Sequence, residues 1–301
     1  MRVVQIAMPG GSNRVGIIEG EAVLDVTDRL GGSALDLLLK VQAGERLEGE
    51  PAIRLGSYAE LDVPPAPDRP HLRVPIDPAE VWGAGVTYKK SAEFRDEDTS
   101  TSKGIYDLVY SSPRPELFFK GRAAHCVGPN AAATIRADSS FTAPEPELAL
   151  VLTARGEIIG YTLCDDVSAW DIERENPLYL PQSKIFYGCA VLGPAIVTPD
   201  ELGDPLALTL RCRILREGHI VFDESVGLDR MKRRFDELIH YLRLNNPIPD
   251  GTVLSTGTGI IVPPELALHE GDVIEMACPP IGTLRHTMRR LPAGWEPGSQ
   301  L

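Results

Sequence analysis

Apolar residues recur at every second position through much of this chain, in short runs broken by Gly and Pro, and this pattern predicts a sheet-rich protein. The first run, Arg2 to Met8, turns through Pro9-Gly10-Gly11-Ser12 and continues as strands near Val15 to Glu19 and Ala22 to Asp25. A helix follows from about Ala34 to Val41, with Ser33 as its N-cap and Gly44 as its stop. The next segment, Val63-Pro64-Pro65-Ala66-Pro67-Asp68-Arg69-Pro70, is too rich in proline for regular structure and reads as a linker or strap. The chain thus divides into a small N-terminal α/β domain over residues 1–70 and a larger domain over residues 71–301.

In the larger part, strands are predicted at Val81 to Gly85, Leu117 to Lys120, Ala133 to Arg136, Glu147 to Leu152 and Ile158 to Leu163. Four more fall at Ala207 to Leu215, His219 to Ser225, Thr252 to Ser255 and Asp272 to Ala277. One stretch breaks the pattern: Leu228, Met231, Phe235, Leu238, Ile239 and Leu242 follow helical spacing, so a helix is expected from Leu228 to Leu244. Asn245-Asn246-Pro247 ends it, and the cluster Lys232-Arg233-Arg234 faces away from its apolar stripe. Residues 89–112 are polar and charge-rich, and read either as a solvated loop or as a lid beside a cleft. The fold class is α+β.

The chemistry starts at Pro144-Glu145-Pro146-Glu147. Glu145 and Glu147 stand two residues apart at the mouth of a strand, so both point to one face while Leu148, Leu150 and Leu152 turn to the other. Ala154, Arg155 and Gly156 form a hairpin turn that returns the next strand alongside, which carries Asp166 back to the two glutamates. Three carboxylates from adjacent antiparallel strands make a half-shell for a hard divalent cation: magnesium, with manganese or calcium as alternatives. Water or substrate oxygens would complete it.

Composition narrows the partners. Thirty basic residues against 43 acidic leave a formal charge of −13, which repels nucleic acid. No run of apolar residues is long enough to span a membrane, and a cytoplasmic protein is expected. The five cysteines, Cys126, Cys164, Cys189, Cys212 and Cys278, are scattered without CxxC spacing and read as small buried hydrophobes.

Six blocks, in order, carry a resemblance: VWGAGVTY, PELFFKG, PEPELALVL, GYTLCDDVSAWD, KIFYGCAVLGPAIV and PDGTVLSTGTG. Over residues 80–290 the chain resembles the fumarylacetoacetate hydrolase family. That resemblance implies a mixed β-roll catalytic domain, a homodimer or homotetramer, and a magnesium or manganese ion on Glu145, Glu147 and Asp166. It further implies that Lys184 lies over a bound 2-oxo acid, where it can move a proton or hold an oxyanion. Thr258 and Gly257, in Thr256-Gly257-Thr258-Gly259, match a turn that contacts the substrate carboxylate; a plain glycine turn is the other reading. Tyr88 and Ser91 are taken as further substrate contacts.

Departures from the family pattern direct the choice of reaction. The carbon–carbon hydrolases of the family place a histidine three residues after the tyrosine and a glutamate three further on; Tyr88 is followed there by Ser91 and Phe94. None of the six histidines lies in a matching block, so each reads as structural or exposed. Trp170 stands where arginine is usual and Asp165 where asparagine is usual, the second adding negative charge beside the metal. The TYKKS variant, Glu116 in PELFFKG and the ENPLYLPQSKIF block resemble the branch that dehydrates 2-keto-3-deoxy sugar acids. The expected reaction takes 2-keto-3-deoxy-D-arabinonate to 2-oxoglutarate semialdehyde, with loss of the carbon 4 hydroxyl, a second dehydration and tautomerisation. Lys184, partnered by Glu116, would move the proton. The alternative is hydrolysis of acylpyruvates or 2,4-dioxo acids, with Glu93, Glu97 or Asp98 replacing the missing dyad. A third reading is a binding protein for a divalent cation or small acid, with a closed structural site.

Overall fold

The computed structural model describes residues 1–30, 32–45, 52–98 and 104–296. Among them, two mixed sheets pack face to face through a shared core, with helices packed against them, as the α+β expectation requires. The larger sheet has 12 strands, and its main path runs Ile53–Ser57, Ala22–Asp25, Asn13–Glu19, Arg2–Ala7, Ala190–Val197, Ile158–Asp166, Pro146–Leu152, Thr252–Ser255, Val81–Gly85 and Glu116–Gly121. The second runs His219–Gly227, Thr209–Arg216, Val273–Cys278, Gly282–Arg290 and Ala132–Ile135. Neighbours are antiparallel except at Thr252–Ser255 against Val81–Gly85, Cys126–Val127 against Ala190–Val197, and Ala132–Ile135 against Gly282–Arg290.

Both faces of the large sheet are covered, and the Pro146–Leu152 strand is buried from end to end. Leu148, Leu150 and Leu152 pack with Leu210, Cys212, Ile214, Met276 and Leu284 of the second sheet in one core. Ala149 and Val151 turn the opposite way and pack with Val3, Leu37, Leu38, Leu192 and Ile196. The helix carrying Leu37 and Leu38 spans Ala34–Gln42, where Ser33 and Asp36 form a reciprocal capping box. Gly44 follows at φ 74°, a left-handed position that suits glycine.

The first four strands are not laid apart from the rest. Arg2–Ala7 is hydrogen-bonded to Ala190–Val197 through the Arg2/Val197 and Val3/Ile196 pairs. The proline-rich stretch leads into His71–Arg73, which pairs back onto Arg2–Ala7. The sheet is therefore continuous across residue 70.

Four sequence expectations need correction. Within the polar segment expected as a loop or lid, Lys89–Asp98 and Ile105–Ser111 are helices. Their charged surface hides a narrow buried stripe, Tyr88, Ser91, Ala92 and Arg95, at helical spacing. The long helix expected from Leu228 is a 3-10 turn at Leu228–Arg230 and a separate α-helix at Phe235–Arg243. The basic cluster between them does not simply face away, since buried Arg233 donates to the carbonyls of Val109, Ser112 and Pro113 at the end of the Ile105–Ser111 helix. Ala190–Val197 and Gly282–Arg290 were not anticipated as strands. The first contains Pro194, which sits where the ladder shifts register between Tyr161 and Leu163. The second alternates buried Leu284, His286 and Met288 with exposed Arg285, Thr287 and Arg289, a polar-looking run whose apolar face is sparse.

The cysteines behave as expected: Cys164, Cys189, Cys212 and Cys278 are buried and free, and Cys126 is half-buried. No helix among the described residues is long and apolar enough to cross a membrane.

Because Val3, Val15 and Leu37 share a core with Leu192 and Ile196, removing residues 1–62 should bare one edge and one apolar face of the large sheet. The expected outcome is insoluble protein, or a monomer without a cooperative thermal transition. A shortened chain that melts cooperatively within a few degrees of full-length protein would contradict the shared core.

Candidate active site

The antiparallel pairing of Pro146–Leu152 with Ile158–Asp166 sets the register on which everything at the site depends. Pro146 stands opposite Asp165 and Glu147 opposite Cys164, while the Asp166 N–H donates to the Glu145 carbonyl at 3.0 Å. Alternation then places Glu145, Glu147 and Asp166 on one face. One carboxylate oxygen from each lies within 4.8 Å of the other two, and all three side chains are buried.

Three cations from three different elements press on this trio. Lys184, fully buried at the end of the Leu180–Lys184 helix, donates to Glu145 Oε2 at 2.8 Å, Asp166 Oδ2 at 3.1 Å and Ser168 Oγ at 2.7 Å. Lys120, on Glu116–Gly121, lies 2.5 Å from Asp166 Oδ1 and donates to the Val167 carbonyl at 2.8 Å. Arg95, from the Lys89–Asp98 helix, donates to Glu145 Oε1 at 3.1 Å and Glu173 Oε1 at 2.7 Å. The indole of Trp170 adds a donor to Glu145 Oε1 at 2.5 Å.

These neighbours divide the carboxylates. Burial works to raise the Glu145 carboxyl, but Lys184 and Arg95 outweigh it and hold the group well below the usual carboxylate range. Glu147 goes the other way: burial, then the charges of Asp166 and Glu145, push it well above that range. Its Oε2 accepts the Gly257 N–H at 2.7 Å, and among the described residues no cation forms an ion pair with it. Burial alone would depress the Lys184 ammonium, yet Asp166 and Glu145 keep it above its ordinary value.

The remaining expected residues are placed as follows. Glu116 packs over Gly85, its carboxyl raised by burial against the opposing pull of Arg95, and its buried Oε2 has no hydrogen-bond partner. Gly257 has φ 95°, and a Cβ there would stand 2.0 Å from Thr87 Oγ1, so only glycine brings this N–H to Glu147. The Thr258 hydroxyl is spent within its own turn, on the N–H and carbonyl of Ile260, both at 3.2 Å. Tyr88 and Ser91 are buried at the entry to the Lys89–Asp98 helix. Glu93 is exposed and pairs with Lys89 at 3.2 Å, away from the carboxylates, while the side chains of Glu97 and Asp98 lie outside the described residues.

Two departures read differently in three dimensions. Asp165 does not add charge beside the trio, because the next residue along a strand faces the other way. It accepts the Glu145 N–H at 2.8 Å and meets Nε2 of fully buried His286 at 2.8 Å on the second sheet. The His286 Nδ1 has no partner, so the proton belongs on Nε2, toward Asp165. Trp170 likewise leaves no cation missing, since Arg95 reaches the same oxygen of Glu145 from the helix. Sequence reasoning missed Arg95, Lys120, Glu173 and His286. Lys120 lay inside a quoted block and Arg95 on a buried helical stripe; Glu173 and His286 carried no local signal.

The donor set suits a hard divalent cation. It offers only oxygens, clusters them within bridging distance, and leaves Glu147 buried against two like charges with no positive partner.

Residues 80–289 match the family described as Fumarylacetoacetate (FAA) hydrolase C-terminal. The chain belongs to the fumarylacetoacetate hydrolase family. Within it, the chain is 49% identical over 213 residues to a 2-dehydro-3-deoxy-D-arabinonate dehydratase of Saccharolobus solfataricus, covering 70% of this chain and 72% of that protein. It is 42% identical over 218 residues to a probable 2-keto-3-deoxyxylonate dehydratase of Haloferax volcanii, covering 72% and 75%. A solved structure of 2-keto-3-deoxy-D-arabinonate dehydratase complexed with magnesium and 2,5-dioxopentanoate superposes with a TM-score of 0.87 at 38% identity, covering 97% of this chain and 99% of that one. The shared architecture fixes the fold of the family member described here as the α+β type expected from sequence.

Glu147→Gln removes a buried charge that faces two others. In metal-free protein it should raise the melting temperature by about 2 °C, the shift that about 1 kcal/mol gives in a chain of this size, while abolishing any stabilisation by added magnesium. Calorimetry with and without the ion reads both effects, and a metal-free variant that melts several degrees lower would contradict the electrostatic account.

Proposed function

We propose that this protein is a magnesium-dependent hydro-lyase acting on 2-keto-3-deoxy sugar acids, with 2-keto-3-deoxy-D-arabinonate as substrate and 2-oxoglutarate semialdehyde as product. The observation that carries the reading is the buried trio Glu145, Glu147 and Asp166, within 4.8 Å of one another beside Lys184 and Glu116, in a chain so similar to named dehydratases. The dioxopentanoate held by the solved relative is the semialdehyde itself.

Glu145, Glu147 and Asp166 would hold the ion, which when bound would supply Lewis acidity that polarises the 2-oxo group and acidifies the carbon 3 proton. Lys184 is an ammonium in this setting, so it donates, and its role is to steady the negative charge that builds on the substrate's 2-oxo oxygen. Glu116 has the free lone pairs: its unpartnered Oε2, with a carboxyl that burial raises, suits it to take the carbon 3 proton and return it to the departing carbon 4 hydroxyl. The C4–O bond breaks and one water leaves, giving a carbon 3–carbon 4 double bond; transfer of a carbon 5 proton to carbon 3 then yields the enol at carbons 4 and 5, which tautomerises to the aldehyde. Atoms balance with that single dehydration, so the second one expected from the resemblance drops out.

Gly257 holds Glu147 and the Thr258 hydroxyl is taken by Ile260, so any contact of this turn with the substrate carboxylate falls to the backbone of Thr258 and its neighbours. Tyr88 lies within electrostatic reach of Glu147, and buried Ser91 follows it on the same helical stripe. The same proposal includes a cytoplasmic setting and assembly into a homodimer or homotetramer. Edge strands carrying Ile53 and Ile220, 71% and 54% exposed, support association.

Supplied with 2-keto-3-deoxy-D-arabinonate and magnesium, the protein should release the semialdehyde, detected as its hydrazone or by a coupled aldehyde dehydrogenase. A chelator should abolish turnover and magnesium restore it. Glu116→Gln should lower kcat at least about a hundredfold, the usual contribution of a placed general base. Release of pyruvate from acylpyruvates, with no turnover of the sugar acid, would replace dehydration by hydrolysis.

A further inference from the structure

Divalent-ion coordination at about 2.1 Å brings neighbouring ligand oxygens to roughly 3 Å from each other. The trio must therefore draw inward around an ion, and the oxygens of Glu145 and Asp166 already face cationic or indole donors. Glu145 Oε1 carries Arg95 and Trp170 together. Arg95 is also tied to Glu173, and the Trp170 ring is wedged between Phe94 at 5.2 Å and Phe141 at 5.3 Å, so neither donor yields easily. Asp166 Oδ1 carries Lys120, which the Val167 carbonyl anchors.

The other two oxygens differ in kind. Glu145 Oε2 and Asp166 Oδ2 share one donor, Lys184 Nζ, at 2.8 and 3.1 Å. That nitrogen has other support within reach, the Ser168 hydroxyl at 2.7 Å and the face of Phe118 at 5.0 Å. Moving one side chain thus frees two acceptors on two members of the trio, whereas the other donors to Glu145 and Asp166 are anchored.

We propose that Lys184 is the cation the metal displaces: its ammonium bridges Glu145 and Asp166 at the oxygens a divalent ion takes, so the two exclude each other there. Lys184 accordingly weakens metal affinity while holding the empty site together. Ion entry turns its nitrogen off the carboxylates toward Ser168 and Phe118, free to meet a substrate oxygen. This rests on the metal-binding reading above and adds to it an order of events, ion first and lysine released second.

Mn²⁺ alone, titrated by calorimetry and by the loss of its free-ion electron paramagnetic resonance signal, tests this without turnover. Lys184→Met should bind Mn²⁺ at least about tenfold more tightly than unaltered protein, and Lys184→Arg, which keeps the cation, should not. Should Lys184→Met fail to fold without metal, Lys184→Gln carries the same expectation. Unchanged or weaker affinity in the neutral variants overturns the proposal while leaving metal binding intact. No binding by any of the proteins removes the metal reading and this inference with it. In a magnesium-soaked crystal of the unaltered protein, at least one of the two Lys184 contacts should open beyond hydrogen-bonding distance; both retained, with the ion on all three carboxylates, also overturns it.

Discussion

The pairing of Pro146 with Asp165 across two antiparallel strands is the constraint from which the site follows. With that register, period-two alternation sends Glu145, Glu147 and Asp166 to one side of the sheet and Asp165 to the other. A slip of one residue would exchange the roles, putting Asp165 with the glutamates and turning Asp166 toward His286. The register is secured by the apolar residues on either side: Leu148, Leu150 and Leu152 can enter only the core between the sheets, and Ala149 and Val151 only the core beneath the first helix. Packing energy spread over the strand thereby fixes where three charges meet.

Buried charge of this density is tolerated because its compensation is distributed. Glu145 is met by Lys184, Arg95 and Trp170, and Asp166 by Lys184 and Lys120; each cation comes from a separate element and closes a different side. Removing one partner from such a group leaves an uncompensated charge, which costs about 3–5 kcal/mol. Glu147 is the exception, and its isolation marks where the trio is short of positive charge. Behind it, His286 and Asp165 hold the backbone of Glu145 from the far side of the sheet, so the second sheet stiffens the site without touching its open face.

Local pattern carried much of this. The Glu145/Glu147 spacing and the hairpin at Gly156 were enough to bring Asp166 alongside, and the capping box at Ser33 was readable because cap chemistry is local. Long-range partners were not readable. Nothing near His286 announces a contact 121 residues away with Asp165, and Glu173 becomes meaningful only once Arg95 reaches it from 78 residues upstream. The helices at Lys89–Asp98 and Ile105–Ser111 were obscured for another reason: the segment is dense in charged residues, so mean polarity resembled a loop while the spacing of Tyr88, Ala92 and Arg95 was helical.

That misread segment explains how Trp170 replaces a cation at its position. The indole donates to Glu145 as an arginine there could, but contributes no positive charge, and Arg95 brings the charge from the Lys89–Asp98 helix instead. The two are coupled through packing, since Phe94 on that helix lies against the Trp170 ring. The charge balance of Glu145 is in this way bound to the position of a helix that the small cluster of Val86, Ala92 and Tyr106 seats on the sheet. Any displacement of the helix weakens a partner of the buried Glu145 carboxylate and opens the aromatic wall together, so the polarity and the shape of the site change in one motion rather than two.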